Sequence, residues 1–574
     1  MVNGVLGGSQ STGTISSAGV YTTPANPAVQ NVTVTAEIPA DGVPSTPGFV
    51  QVFNPSEFAP GMVNSTNNPL VASYSIQAPE GAGVQIQFGQ STNYGLTTWA
   101  QSAPNFGGTV SIFVAGMQAS TTYHMQATLS LPNGTQVTDT DHTFTTGAIP
   151  ASILPTLTVQ QTNGMTPAPG VEMLCLDLEN GGNQLTGVVT DLSGNVIWYY
   201  DFGGVGLWPE PMKLLPNGHM LLVVAPETNG TTVAPGVSTI NEVREIDLAG
   251  DIINRITLNQ INSGLTSIGA SFQALNLHHD ILKLPNGHLI LLVNYNETFA
   301  NQAGLPPGTT VTGDALIDWD PQLGGPVWTW SAFDHLDVSR IPYGITNGVA
   351  DWTHSNALVY SPDDGNIILS MRNQNWIIKI NYENGAGDGS ILWHFGYQGD
   401  FTLPAGEAPI EWNYGQHYPT IVSPNSAGDF SMMFFNDGNN RLVNSSGTVC
   451  GSAGAVSCYT SVPIFDVNES TKTAQVVAED DLAPAYSICC GDALELPNGD
   501  VEYDIADNLY TPGVSVVQEV TQLQSPQLVW QMNIQGELAY RAFRIPSLYP
   551  GIQWSQAALA AQTTAGSRPR AQKH

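Results

Sequence analysis

A short hairpin signature recurs along the chain and constrains the fold more than any other feature. Each copy reads as an apolar strand, a turn of the Pro-Asn-Gly type and a second apolar strand. The copies are KLLPNGHMLLVV (213–224), KLPNGHLILLV (283–293), YSPDDGNIILSM (360–371), IVSPNSAGDFSMMFF (421–435) and ELPNGDVEYDI (495–505). Successive turn prolines are separated by 69, 77, 62 and 73 residues. Self-similarity at such a period predicts a repeat architecture.

Each signature is followed by a second hairpin with aromatic ends, and a sixth hairpin of this kind opens the series. These hairpins occupy 187–202, 243–256, 315–331, 376–395, 462–477 and 516–532. Two hairpins per repeat make a four-stranded blade, so residues 151–551 are predicted to form a six-bladed β-propeller. The late strand YRAFRI (540–545) is available to close the first blade. A β-solenoid is disfavoured because its repeats are shorter, and unrelated sandwiches would not share the turn.

The segment before the repeats reads differently. Residues 28–150 alternate apolar and polar residues in short strands, which predicts an N-terminal β-sandwich. The stretch GMQASTTYHMQA resembles the corner of a fibronectin type III domain, where Tyr123 would hydrogen-bond to upstream backbone. Residues 1–27 are expected to be a flexible leader. Residues 552–574 form a tail whose start, IQWSQAALAAQ, is the best helix candidate in an otherwise all-β chain.

Charge and hydropathy exclude several partners. The formal net charge is −33, with 14 Lys and Arg residues against 47 Asp and Glu. A chain without basic patches is unsuited to nucleic acid or an anionic membrane surface. No run of 18 apolar residues predicts a membrane span, and the leader lacks the pattern of an intact signal peptide. The low Lys content and abundant Thr, Asn and Gly favour an exported protein, periplasmic or secreted.

Five cysteines give limited information about the redox state of the chain. Cys450 and Cys458 bracket a small loop and could close a disulfide ring. Cys175 lies in an apolar strand and is expected to be an inert core thiol. The adjacent Cys489 and Cys490 stay unassigned at this stage.

Three histidine settings occur at matching places in the repeats. They are LHHDILKLPNG with His279, DWTHSNALVYSP with His354 and Asn356, and YGQHYPTIVSP with His417. A single histidine at the start of a strand is most often structural. Equivalent positions of successive blades, however, converge at one end of a propeller axis, where ligand sites usually form. The three histidines and Asn356 are therefore predicted to share one site, and the remaining histidines are expected to be structural or solvated.

Arg372 adds a cation to this group. With the turn at 361–366, its strand runs antiparallel to the strand of Asn356, so Arg372 is predicted to lie near His354 and Asn356, with Ile368 and Ser370 on its face. An Arg at a blade end often pairs with a carboxylate. The polar donors around it favour an anion instead, such as sulfate, phosphate or carboxylate, held by the guanidinium fork.

These motifs together resemble one family. HHDI with LPNG, DWTHSNALVY with DDGNIILSMRNQ, YGQH and YRAFRIPSLYP, in this order over 170–550, are similar to the bacterial PAPS-independent arylsulfate sulfotransferases. The resemblance implies a six-bladed propeller behind a β-sandwich, exported from the cytoplasm. It also implies transfer of a sulfuryl group from a phenolic sulfate ester to a phenol, without metal, nucleotide or other cofactor. Its partners would be these small molecules, and homo-oligomer formation stays open.

By motif, the resemblance makes His417 the nucleophile that forms a sulfohistidine in a ping-pong reaction. His279 and His354 would act as general acid and base, and Arg372 with Asn356 would bind the sulfuryl group. The positive charge of Arg372 is expected to help keep His417 neutral. Two residues depart from the family pattern: Asn373 replaces a histidine, and Tyr418 replaces a small residue, which is expected to narrow the acceptor pocket.

The sequence alone leaves three other functions open. The adjacent Cys489 and Cys490 and the many tryptophans resemble propeller dehydrogenases that hold a quinone beside a vicinal disulfide, and an absorption band of reconstituted quinone would identify one. A non-catalytic propeller that binds a ligand would transfer no sulfuryl group. A simple sulfate-ester hydrolase would differ only in accepting water, so the dependence of rate on phenol concentration would distinguish it.

Overall fold

The structure, a computed structural model, divides into two compact units of mostly β structure. One unit comprises 1–148 with 549–574, and the other comprises 149–548. The described residues are 1–25, 30–36, 45–52, 60–177, 184–204, 206–226, 228–229, 232–233, 238–302, 304–423 and 428–564. The predicted turn at 424–427 lies outside them.

The first unit contains fourteen strands among its described residues. They are β1 (Gly8–Ser9), β2 (Gly13–Ile15), β3 (Tyr21–Thr22), β4 (Gln30–Val34), β5 (Gly48–Val52), β6 (Met62–Ser65), β7 (Ala72–Ala78), β8 (Gly83–Gly89), β9 (Leu96–Thr97), β10 (Gln101–Ser102), β11 (Gly108–Val114), β12 (Thr122–Ser130), β13 (Gln136–Thr138) and β14 (His142–Thr145). The larger sheets are β10-β8-β12-β13, to which β9 and β14 also pair, and β11-β7-β6. As predicted, Tyr123 bonds to upstream backbone: its hydroxyl accepts from Gln118 N–H at 2.9 Å.

The second unit carries the repeats. Its strands are β15 (Thr156–Gln161), β16 (Val171–Asp177), β17 (Gly187–Thr190), β18 (Val196–Tyr200), β19 (Leu207–Leu214), β20 (Met220–Pro226), β21 (Thr228–Asn229), β22 (Thr232–Val233), β23 (Glu242–Ile246), β24 (Ile252–Thr257), β25 (Asn276–Lys283), β26 (Leu289–Phe299), β27 (Thr309–Asp320), β28 (Gly325–Ser331), β29 (Val349–Asp351), β30 (Ser355–Ser361), β31 (Asn366–Met371), β32 (Trp376–Ile380), β33 (Ile391–Phe395), β34 (His417–Ser423), β35 (Asp429–Phe435), β36 (Ser461–Asn468), β37 (Thr473–Asp481), β38 (Ala493–Glu495), β39 (Val501–Ile505), β40 (Val514–Val520), β41 (Leu528–Gln535) and β42 (Leu538–Ile545). Short 3-10 turns lie at Ala151–Ile153, Ala332–Asp334, Arg372–Gln374 and Glu383–Gly385.

The described strands of this unit form six sheets of four or more strands, besides the ribbon β21-β22. Four sheets are each local in sequence: β19-β20-β23-β24, β25-β26-β27-β28 with β29, β30-β31-β32-β33 and β34-β35-β36-β37. The predicted hairpin signatures are β19-β20, β25-β26, β30-β31, β34-β35 and β38-β39. The hairpins therefore lie at the positions that the sequence repeat predicts.

The other two sheets join the ends of the unit. The late strand β42 pairs antiparallel with β16 and completes the sheet β18-β17-β16-β42, as the sequence suggested for 540–545. The early strand β15 pairs with β41 at the edge of the sheet of β38 to β41. This second pairing was not predicted, because nothing in the local pattern of 156–161 identifies a partner far along the chain.

The core of the unit lies between consecutive sheets, where their apolar faces pack together. Buried tryptophans of the second hairpins reinforce this packing. Trp198 donates its indole N–H to a carbonyl in the β23–β24 turn, Trp330 to one in the β32–β33 turn and Trp530 to one in the β17–β18 turn. The aromatic ends of the second hairpins thus serve to attach one sheet to another.

Two α-helices are present in the described residues: α1 (Leu258–Ile268) and α2 (Gln556–Thr564). The second matches the helix candidate in the tail. The first was not predicted, and it begins in a capping box in which Thr257 and Gln260 exchange hydrogen bonds. Only Ile261 and Leu265 of this helix are buried, so its apolar stripe is too narrow to stand out in the sequence.

Cys450 and Cys458 form a disulfide, as the sequence suggested. Cys175 is a buried thiol, and burial raises its pKa to about 12, as expected for an inert core residue. Cys489 and Cys490 are free thiols. No helix among the described residues is long and apolar enough to cross a membrane.

Candidate active site

His417 is the first residue of β34 and is almost fully buried, with 2% of its surface exposed. Its Nε2 accepts a hydrogen bond from the backbone N–H of Cys490 at 3.3 Å, so this nitrogen carries a lone pair. Its Nδ1 lies 3.3 Å from Asp437 Oδ2. Burial lowers the pKa of His417 well below 6.5, with further contributions from the charges of Arg541 and Arg372. The ring is therefore a neutral imidazole whose Nε2 lone pair accepts the long hydrogen bond from Cys490 N–H.

Arg372 follows β31 instead of lying on it, which corrects the prediction that it shares a strand face with Ser370. The strand ends at Met371, and Arg372 begins a 3-10 turn. The predicted neighbourhood is nevertheless correct, because the Arg372 backbone N–H donates to the His354 carbonyl at 3.2 Å.

The guanidinium of Arg372 already makes two hydrogen bonds to the protein. It donates to Asn373 Oδ1 and to the Ile488 carbonyl, each at 2.8 Å. Its Nε lies 3.8 Å from Asp437 Oδ2 and has no hydrogen-bond acceptor among the described residues. Arg372 therefore does have a carboxylate nearby, but one buried donor of its fork remains unused.

Asn356 is fully buried and bonds to the backbone next to His417. Its side-chain N–H donates to the carbonyl of Gln416 at 2.8 Å, directly before His417. Its own carbonyl accepts from Arg541 at 3.1 Å. Its Oδ1 has no hydrogen-bond partner among the described residues. The amide thus fixes the start of β34 relative to β30.

His279 and His354 form a pair. Their Nε2 atoms lie 3.1 Å apart and their ring centroids 4.7 Å apart. His354 Nδ1 contacts Asp351 Oδ2 at 2.6 Å. His279 Nδ1 lies 2.6 Å from Glu210 Oε1 and 2.9 Å from the Tyr540 hydroxyl. Burial and the neighbouring His354 lower the pKa of His279 well below 6.5.

Tyr418 directly follows His417, at the place where the pairing register of β34 shifts. Its ring packs against Phe543 at 5.3 Å between centroids, with Lys213 and Arg541 within 5.7 Å. Tyr418 is thus linked to the other predicted residues through Arg541, which contacts both Tyr418 and Asn356.

Several residues at or near the starts of the strands that carry the site have a left-handed backbone conformation. His279 has φ 60°, His354 46°, Tyr418 45° and Cys490 71°. Side chains other than glycine rarely adopt this conformation, and such residues concentrate at functional sites. The pairing register of β25 and of β34 shifts at the same places. The local bulges turn these side chains out of the regular strand alternation.

Sequence reasoning missed several residues that complete the site: Glu210, Asp351, Asp437, Tyr540 and Arg541. Two had a readable signal. Glu210 stands six residues before Pro216, the same offset that separates His279 from Pro285, in a repeat that has no histidine before its turn. Asp437 lies in the polar run FNDGNNR directly after an apolar strand. A position-by-position alignment of the repeats would have included Glu210.

Four of the other histidines have partners that account for them. His219 contacts Glu245 and His288 contacts Asp318, at 2.7 and 2.9 Å, so both are tied into their hairpins and only partly solvated. His335 stacks on Trp330, and His394 contacts Asp400. Among the described residues, no group of three or more His, Cys, Asp or Glu side chains is arranged to hold a metal ion.

Comparison with known proteins identifies a family. The sequence model described as Arylsulfotransferase (ASST) matches residues 158–541. No curated protein sequence matches the chain. Among solved structures, the periplasmic gluconolactonase of Pseudomonas aeruginosa is 11% identical, covering 64% of this chain and 96% of its own, with a TM-score of 0.32. A mutant of the Synechocystis apocarotenoid oxygenase is also 11% identical, covering 85% and 95%, with a TM-score of 0.30. Similarity at this level says nothing about what the chain does.

Proposed function

The chain belongs to the arylsulfotransferase family, and on that basis we propose that it moves a sulfuryl group from a phenolic sulfate ester to an acceptor phenol in two steps, without PAPS. His417 Nε2 attacks the sulfur of the donor ester, and the bond from sulfur to the phenolic oxygen breaks. A sulfohistidine forms and the donor phenol leaves. The acceptor phenol then attacks the same sulfur and regenerates His417.

The observation that carries this proposal is the state of His417. A nucleophilic imidazole must be neutral and must present a lone pair, and burial beside two arginines keeps the pKa of His417 well below 6.5. The Cys490 N–H assigns the lone pair to Nε2, while Nδ1 faces Asp437. Nδ1 makes no hydrogen bond to any of the described residues, and burial raises the pKa of Asp437 well above 3.8. An Asp437 oxygen would accept the Nδ1 proton in a hydrogen bond as positive charge develops on the ring during attack.

Arg372 is proposed to bind the sulfuryl oxygens. Its unused buried Nε–H supports this role, because an unpaired donor is costly unless a ligand satisfies it. The charge that accumulates on the sulfuryl oxygens in the transition state would be stabilised by a guanidinium already held in place by Asn373 and Ile488. Asn356 would position the nucleophile and, through its second amide hydrogen, contribute to the same pocket.

The histidine pair is proposed to handle the phenolic proton. His279 and His354 share one proton between their Nε2 atoms, which is the proton available to a leaving phenolate. The same pair would take the proton of the acceptor phenol in the second step. Tyr418 and its neighbours Phe543 and Arg541 are proposed to shape the acceptor pocket.

The architecture proposed for this function is a six-bladed propeller at 151–551, preceded by a sandwich at 28–150. The pairings of β42 with β16 and of β15 with β41, and the indole bond from Trp530 into the β17–β18 turn, support ring closure. The two facing antiparallel sheets expected of the sandwich are supported by the burial of alternate residues along β7 and β12. Periplasmic or secreted localisation is proposed from the composition and from the disulfide.

The direct test is transfer from 4-nitrophenyl sulfate to phenol by the purified protein. We expect the rate to rise with phenol concentration and to be abolished in His417→Ala. The matched control is His219→Ala, which removes a half-exposed histidine that contacts Glu245 in the β19–β20 hairpin. Absence of transfer in the unmodified protein would refute the proposed function. Release of 4-nitrophenol that does not depend on phenol would indicate hydrolysis instead.

A further inference from the structure

Four side chains stand in a continuous row of polar contacts that runs from the surface into the protein. Asp351 contacts His354 Nδ1, the two imidazoles meet through Nε2, and His279 Nδ1 faces Glu210. The side chain of Asp351 is 53% exposed and that of Glu210 is 8% exposed. The row therefore ends at a buried carboxyl group to which the reaction proposed above assigns no role.

The distances fix how many protons this row holds. Two bare lone pairs repel each other at 2.6 to 3.1 Å, so in the resting protein we assign one proton to each of the three contacts. The Tyr540 hydroxyl, 2.9 Å from His279 Nδ1, keeps its own proton and can donate to the same nitrogen. Asp351 keeps its charge, because the charge and hydrogen bond of His354 more than offset burial and lower the Asp351 pKa to about 2. The Asp351 contact therefore places a proton on His354 Nδ1. Two protons remain for the other two contacts.

Those two protons have two low-energy arrangements. In one, His279 carries its proton on Nε2 and Glu210 is a neutral carboxylic acid that donates to Nδ1. In the other, His279 carries its proton on Nδ1, Glu210 is a carboxylate, and the proton between the imidazoles is on His354. A doubly protonated His279 is disfavoured, because burial lowers its pKa well below 6.5. Between the two arrangements the Glu210 proton moves to His279 Nδ1 and the His279 Nε2 proton moves to His354, which becomes an imidazolium, while the His279 ring stays neutral and only changes tautomer.

We propose that Glu210 is a positioning residue that stores the transferred proton behind His279, so that the His279 ring exchanges tautomers and never needs to become charged. The inference rests on the proposed transferase function. It adds a residue to that function and assigns the direction of proton flow.

The first step exchanges one bond to sulfur for another. The bond between sulfur and phenolic oxygen breaks as the bond from His417 Nε2 to sulfur forms. The leaving oxygen takes the proton from His279 Nε2, and the new phenolic O–H lies between the two Nε2 atoms in place of that proton. The Glu210 carboxyl proton moves to His279 Nδ1. Glu210 becomes a carboxylate, and His279 remains neutral. In the second step the acceptor phenol returns a proton to Nε2, and Nδ1 returns its proton to Glu210.

The surroundings of Glu210 suit a group that stores a proton. Burial raises the pKa of Glu210 to about 7, even though nearby positive groups oppose the shift. A proton store is most effective when its pKa lies near the working pH. The hydroxyl of Tyr540 stays protonated, because burial raises its pKa well above 10. The titratable and charged groups that face Glu210 are His278 and His279 of β25, His354 before β30, and Tyr540 and Arg541 of β42.

The test compares two donors that differ in their need for a proton. 4-Nitrophenolate leaves readily without protonation, whereas the phenolate of phenyl sulfate does not. In a two-step mechanism, kcat/KM for the donor reports the first step alone, here with 4-methylphenol as acceptor. Glu210→Gln keeps the shape and can donate to Nδ1 but cannot release a proton. We expect kcat/KM to fall about 10²-fold for phenyl sulfate and less than about 10-fold for 4-nitrophenyl sulfate.

The control is Glu245→Gln, which alters a carboxylate that contacts His219 away from the site and should leave both donors unchanged. An equal loss on both donors, or no loss, would overturn the proton-store role. The unmodified protein gives an independent readout that does not require the variant to fold. Its kcat/KM for phenyl sulfate should fall as pH rises through about 7, and that for 4-nitrophenyl sulfate should not. Identical profiles would also overturn the role, whereas no transfer from either donor would refute the transferase function itself.

Discussion

His417 Nδ1 lies 3.3 Å from Asp437 Oδ2, and both side chains are buried. The carboxyl group therefore faces the ring nitrogen opposite the proposed nucleophilic atom. Asp437 also lies 3.8 Å from Arg372 Nε, so one oxygen is close to the two groups that would hold the sulfuryl group. Nδ1 makes no hydrogen bond within the described part of the chain and burial raises the pKa of Asp437 well above 3.8, so we expect Asp437 to accept the Nδ1 proton only as the ring becomes charged during attack.

Asp437→Asn should lower kcat for sulfuryl transfer by about 10²-fold or more, because an amide nitrogen facing Nδ1 favours the wrong tautomer. KM for the donor should change little. Steady-state kinetics with 4-nitrophenyl sulfate measure the effect, and Asp466→Asn, on the partly exposed side chain that accepts from Ser431, is the control. A kcat within about threefold of the unmodified protein would remove Asp437 from the mechanism.

Arg372→Lys should fail to restore activity even though it keeps the charge. A lysine cannot donate simultaneously to Asn373, to Ile488 and to a sulfuryl oxygen in the planar geometry of a guanidinium. The expected loss in kcat/KM is about 10²- to 10³-fold, the usual effect of removing one oxyanion donor. Arg255→Lys, at a half-exposed ion pair with Glu242, should leave kcat/KM unchanged. Activity near normal in Arg372→Lys would mean that the site needs only a positive charge.

The pH dependence of the first step should reflect the lowered pKa of His417. Only the neutral ring attacks sulfur, so kcat/KM for 4-nitrophenyl sulfate should stay level as pH falls through 6.5 and decline only below it. The free energy of unfolding should likewise fall as the pH falls. An unfolded histidine binds a proton near pH 6.5, and the folded ring does not, so this group reduces stability as pH falls below that value. An acidic limb at or above pH 6.5 would contradict the neutral buried nucleophile.

The strand that joins the ends of the second unit carries a buried ion cluster. Arg544 of β42 contacts Glu172, Glu502 and Glu519, and the side chains of Arg544 and of these partners are at most 1% exposed. Arg544→Met should destabilise the protein by about 3–5 kcal/mol, because it leaves buried carboxylates without a cation. Arg255→Met, at a half-exposed pair, should cost less than about 1 kcal/mol. Urea unfolding followed by tryptophan fluorescence compares them, and equal midpoints would contradict this account.

Much of the second unit could be predicted from the sequence because its information is local. The Pro-Asn-Gly turn and its flanking apolar strands repeat, and each copy forms the hairpin that its own residues encode. His279, His354 and Arg372 could be placed near one another for the same reason, since each stands at a fixed distance from a turn. Pairing between distant segments is not encoded in this way, so the partner of β15 was not predictable.

The polar residues that complete the site were harder to find, because each has a different chemical type at a similar place. Glu210 occupies the repeat position that holds His279 in the next repeat, and a search for histidines passes over it. The sequence predicts Arg541 only as part of a closing strand. In the structure its guanidinium donates to the backbone carbonyls of Asn356, Tyr540 and Gly491. The strand position of Arg372 was wrong because a turn of backbone beyond Met371 has no clear signal in the sequence.

The most direct measurement is detection of the covalent intermediate. The protein is incubated with 4-nitrophenyl sulfate in the absence of an acceptor, quenched at alkaline pH, digested and analysed by mass spectrometry. The account predicts a sulfuryl group on the peptide that contains His417, absent in His417→Ala, and its loss with formation of phenyl sulfate when phenol is added before the quench. Transfer that proceeds without a modified His417 peptide, or with the sulfuryl group on another residue, would contradict it.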